Sequence, residues 1–180
     1  MDRRDCFALP LILAGCGGSE MEYQIQSTPV LRTSKSVFAS GVSGSWTPAI
    51  SAANLGDLSV TYAVQRGTYI RFGDIVNCTF NIQANSISYT TATGFLRITG
   101  LPILPINDGI SLFSGSLFFQ GITKAGFTQF TPVALAGTSY FLIYASASGA
   151  GTDPVDITDL PTISTPWIIG SFWFITDSAS

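Results

Sequence analysis

Side chains along much of this chain sort by twos. In the stretch Ile75 to Ala84, Val76, Cys78, Phe80, Ile82 and Ala84 fall on one side. Ile75, Asn77, Thr79, Asn81 and Gln83 fall on the other. Alternation of this length predicts a strand with one face in a core. The same rhythm marks LSVTYAV (58–64), TYIRF (68–72), SISYTT (86–91) and GFLRIT (94–99). ISLFSGSLFFQ (110–120), FTQFTPVAL (127–135), SYFLIYASA (139–147) and WIIGSFWFIT (167–176) read as further strands, set apart by turn residues. About nine short strands separated by turn residues predict an all-β fold, an antiparallel β-sandwich of jelly-roll type. No segment carries a sustained 3.6-residue period. Gly115 and Gly170 interrupt apolar strands and predict a bulge or a close backbone approach. SASGAGTDPVDITDLPTISTP (146–166) reads as the longest loop.

The pattern changes before Trp46. Residues 1–45 hold a short apolar run, Phe7 to Ala14, then glycines, then a polar stretch without period. This predicts two parts: an extended N-terminal arm or anchor over 1–45 and a β-domain over 46–180.

Composition sharpens the strand reading. Only 11% of residues are charged while 46% are hydrophobic, against roughly 25% charged in an ordinary soluble domain. Ser, Thr, Gly, Asn and Gln stand where ions usually stand, so the outward strand faces are polar but neutral. Such a surface, with uncharged runs such as LFSGSLFF and FWF, is a liability on an open edge. Burial against copies of the same chain removes that liability, so a homo-oligomer is expected.

Net charge is −3. From Trp46 onward four basic residues (Arg66, Arg71, Arg97, Lys124) face seven aspartates. No basic patch exists to meet phosphates, so nucleic acid is not an expected partner. The absence of histidine removes histidine-based catalysis. The three cysteines, Cys6, Cys16 and Cys78, have no metal-ligand spacing, and Cys78 sits on an apolar strand face. Asp153, Asp156 and Asp159 are a weak candidate for calcium, since hard cations take oxygen ligands. Their spacing is not that of an EF-hand, and a solvated turn-rich loop explains them as well. No cofactor and no enzymatic role are expected. Asn77-Cys78-Thr79 has the spacing of a glycosylation acceptor and reads as accidental. Tyr89, Phe95, Phe127, Phe130, Tyr140 and Tyr144 could stack on sugars, although aromatics of this kind more often fill cores or interfaces.

Three pieces stand in order: SWTPAI with Trp46 and Pro48; GTYIRFGDIV with Gly67, Tyr69, Arg71 and Gly73; and ITGLPI with Gly100 and Pro102. Together they resemble a β-domain found at the ends of bacteriophage tail fibres and related virion appendages. The resemblance implies a trimeric, non-enzymatic subunit on the outer surface of a virion. Its partners would be two copies of itself and other virion proteins reached through residues 1–45; the resemblance transfers no receptor, and a host-surface glycan is an expectation from the neutral polar strand faces alone. Because the arm is short, a capsid decoration or cement subunit is the alternative within the same setting. Read from the residues alone, the motif positions are fold-building: Pro48 fixes an extended approach, Trp46 caps one end and Gly73-Asp74 allows a reversal.

A third possibility comes from LAGC (13–16), which fits a bacterial lipobox and would make Cys16 a lipid anchor on a surface lipoprotein. Asp2 and Asp5 cancel Arg3 and Arg4, and the apolar run is eight residues with Pro10 inside it. Those features favour an apolar plug that docks on a larger assembly.

Overall fold

A computed structural model describes residues 41–162 and 165–177. The arm up to residue 40, including Cys6 and the candidate anchor Cys16, lies outside the described residues.

The chain is all-β and antiparallel. Among the described residues ten strands follow one another: β1 (Val42–Trp46), β2 (Ala49–Asn54), β3 (Ser59–Phe72), β4 (Ile75–Ser88), β5 (Thr93–Thr99), β6 (Leu112–Gln120), β7 (Gln129–Leu135), β8 (Tyr140–Ser146), β9 (Asp153–Pro154) and β10 (Trp167–Ile175). In space they run β1-β3-β4-β10-β6-β7-β8-β5-β2, with β9 beside β8. This is one hydrogen-bonded path curled into a half-barrel. Its two halves face each other: the Phe141 ring on β8 lies 4.9 Å from Phe80 on β4 and 4.8 Å from Phe172 on β10.

β6 makes the curl. Its first residues, Leu112–Ser114, pair with β7, while Gly115–Gln120 pair with β10. The change of partner falls at Gly115, where an added Cβ would lie 1.9 Å from the Ser171 carbonyl oxygen. Gly170 on β10 is also tight, with the Phe80 ring 2.6 Å from where its Cβ would be. Both glycines thus mark the close backbone approach expected of them.

Alternation in β4 is as read from sequence. Val76, Cys78, Phe80, Ile82 and Ala84 are buried, while Ile75, Asn77 and Thr79 are exposed. Two long strands replace several short ones: 58–64 and 68–72 fuse into β3, and the start of 86–91 completes β4. β1 begins at Val42, inside the stretch read as arm, and pairs with β3 from Val42↔Arg71 to Trp46↔Gly67.

The long segment after β8 is not a solvated loop throughout. Val155, Ile157 and Leu160 are fully buried, and Leu96 N–H donates to the Val155 carbonyl at 2.8 Å. These three apolar residues follow neither a strand nor a helix period and stand among Gly, Asp and Pro, so the sequence reads as loop.

Candidate interaction face

The three motif pieces meet where Trp46–Pro48 passes Gly67 and Gly100, while Arg71 and Gly73 lie at the other end of the β1–β3 pair. Trp46 lies across Gly67, whose Cβ would fall 2.3 Å from the indole nitrogen. Its indole N–H is shared between the carbonyls of Thr68 (3.3 Å) and Thr79 (3.2 Å). The relation is reciprocal along the same strand pair, since Tyr69 lies over Gly44, 2.7 Å from a Cβ there. Gly100 has φ +94°, and its Cβ would meet the Thr47 carbonyl oxygen at 2.4 Å. Thr47-Pro48 therefore passes tightly over the T-G-L-P turn, and Pro48 is buried while Pro102 is half-buried. Gly73 has φ +56° with open space around it, so the turn needs its backbone conformation. Arg71 Nε donates to the Gly73 carbonyl at 2.7 Å, and its terminal nitrogen donates to the Asp177 carbonyl at 3.3 Å. Trp46, Gly67, Tyr69, Arg71, Gly73 and Gly100 each make a close contact, a hydrogen bond or a backbone angle within the fold.

The three aspartates converge on Lys124. Its Nζ lies 3.0 Å from Asp153, 3.5 Å from Asp156 and 3.0 Å from Asp159. The Asp159 carboxylate also accepts the Asp156 backbone N–H at 2.8 Å. Desolvation alone would lower the Lys124 pKa. Hydrogen bonds and charge from Asp159 and Asp153 outweigh it and raise the pKa above its ordinary value. An ammonium group thus stands where a calcium ion was a weak expectation. Among the described residues, no group of acidic, His or Cys side chains has metal-site geometry.

The sugar-stacking candidates are scattered. Phe130 is in the core, Phe127 packs against it, and Phe119 meets Phe130 edge-on at 4.4 Å. Tyr89 donates to the Leu160 carbonyl at 2.8 Å. Tyr140 carries the Arg97 guanidinium 4.4 Å above its ring. Tyr144 lines a shallow groove with Leu112 and Val133, and Phe95 is exposed. Phe127 and Phe130 line one open groove together with Phe119, and the other four stand apart from it. Burial pushes the Cys78 thiol up to about 12, so it is no nucleophile at neutral pH.

What the structure does assemble is the outer face of β3, β4 and β10. Cross-strand register sets its rows. Phe72, Ile75 and Ile175 form one row, and Ile70, Asn77 and Trp173 form the next. The third is all hydroxyl: Thr68, Thr79 and Ser171, extended by Ser45 on β1 and Ser116 on β6. Thr68 and Thr79 hydroxyls pair at 2.7 Å. Part of the hydroxyl row, with Arg66, Asn81, Phe118 and Ile169 beyond it, lines an open groove of about 600 Å³. The five large apolar side chains of the first two rows are 39–54% exposed. The FWF strand is thus divided: Phe172 and Phe174 are buried inside the chain, while Trp173 faces out. The surplus of apolar strands predicts contact with copies of the chain but does not single out these two rows. The alternation that hid Phe172 already required Trp173 to point away.

No family model matches this chain, and no curated protein matches it. Among solved structures it is similar to the crystal structure of the Dettilon tailspike protein (gp208), with TM-score 0.53 and 18% identity over 74% of this chain. The match spans 23% of that protein's length, so the chain corresponds in fold to about a quarter of a tailspike protein.

Proposed function

We propose that this protein is a bacteriophage virion structural subunit, a trimeric tail fibre or tailspike-type appendage carried on the outside of the particle. Its curled sheet acts as a jelly-roll-like sandwich, and residues 1–45 dock on other virion proteins. It has no catalytic role of its own, and its external ligand is a host-surface glycan. The observation that supports this reading is the likeness in fold to a tailspike protein over 74% of the chain. The shortage of charge supports assembly: 11% charged residues leave neutral strand faces that are cheaper to bury against a copy than ionic ones.

The test is made on particles and on purified protein. Antibody labelling of intact virions should mark the tail, and native mass should give three copies. Label on the head would replace this reading with capsid decoration. A single copy at every concentration would remove the trimer.

A further inference from the structure

We infer that the two outer rows Phe72–Ile75–Ile175 and Ile70–Asn77–Trp173 are the surface through which one copy of this chain meets another. The inference rests on the trimeric reading above and adds the face.

Area and composition agree with such a role. At ~150–250 Å² per large side chain, five residues about half exposed present roughly 500 Å² of hydrocarbon. A stable interface takes about 800 Å² from each partner, and interfaces between identical chains are ~65% apolar, which is the same roughly 500 Å². Neither row holds a charged side chain, so three copies of this face converge on a threefold axis without repulsion and no ion is desolvated.

Other occupants fit less well. A sugar needs several convergent donors and acceptors, and here the Asn77 amide and the Trp173 indole N–H stand among four hydrocarbon side chains. The neighbouring Thr68 and Thr79 hydroxyls already bond each other. The chain's own arm starts at the edge of this face, because Phe72 lies over Gly41. However, TSKSVFAS (33–40), the arm's last residues, offers only Val37, Phe38 and Ala39 to cover five larger side chains, and Lys35 stands among them. The long apolar run ends at Ala14, far up the chain. In an assembly built on this face, the arms of the joined copies would start side by side. Asn77, at the centre, supplies an amide that is both donor and acceptor and fixes the register of the copies, as a single buried polar residue does in other assemblies.

The test uses the full-length chain. Asn77→Asp is isosteric at an exposed position and adds one carboxylate per copy at the centre of the face. Sedimentation should show association weakened at least ~100-fold, with unchanged circular dichroism, while Asn77→Ser stays assembled. A benzophenone side chain at position 72 should crosslink to a second chain on illumination. An assembled Asn77→Asp protein, or crosslinks running only to residues 1–40 of the same chain, would overturn the inference while leaving the trimer intact. A wild-type protein that is a single copy throughout would overturn both.

Discussion

Gly67 is buried in β3 without a special backbone angle, so its lack of a side chain is a matter of space. The Trp46 indole occupies the volume a Cβ would take and spends its N–H on two backbone carbonyls. A Gly67→Ala change forces the indole off this seat. Overpacking costs about 1–3 kcal/mol, and the displaced hydrogen bond adds about 1 kcal/mol. Urea unfolding should therefore show a loss of about 2–4 kcal/mol. If the clash is the cause, removing the ring relieves it: Trp46→Leu with Gly67→Ala should cost less than the sum of the single changes. Strict additivity would mean that Gly67 matters for some reason other than the indole.

At the scale of elements, Lys124 ties three pieces together: the β6–β7 connection that carries it, β9 through Asp153, and the short 3₁₀ helix Ile157–Asp159. Lys124→Met leaves three carboxylates facing one another. The lysine side chain is 10% exposed but Asp153 is 53% exposed, so solvent screens part of the pair, and a loss of about 1–3 kcal/mol is expected. The sign with pH follows from the raised lysine pKa. The contribution is whole below the ordinary lysine value and fades as pH rises through the higher folded value. Wild type should exceed Lys124→Met at pH 7 and converge with it in strong alkali; an unchanged difference there would count against the ion cluster. The sequence displayed these aspartates but not their partner, because Lys124 stands 29 residues before Asp153 and nothing local links them. The β4 alternation, by contrast, was fully legible, since a period of two is a property of neighbours. Gly115 was legible as an interruption of an apolar run, but not as the point where β6 changes partner. Val155, Ile157 and Leu160 were lost among turn residues, since a short buried plug has no period to reveal it.

The whole molecule depends on an order of assembly that runs against the order of the chain. β10 is last in sequence yet sits inside the sheet, between β4 and β6. Its pairs with β4 run from Trp167↔Gln83 to Ile175↔Ile75, so the sheet stays open between β4 and β6 until β10 arrives. Contacts this distant in sequence must bear the closure entropy before burial offsets it, so slow folding is expected. Until then β4 offers a 14-residue edge in which no residue is charged, and β6 offers another. Open, neutral, β-branched and aromatic edges pair with other chains. A chain ending at Leu160 should therefore be made but collect in the insoluble fraction. Refolding it from denaturant with a peptide of residues 165–180 should recover soluble, strand-rich protein, because the peptide closes both edges at once and brings Phe172 and Phe174 into the core. A truncated chain that is soluble and folded alone would mean that β4 and β6 can pair directly. In that case the central place of β10, and with it the outward placement of Trp173, would no longer follow from the topology.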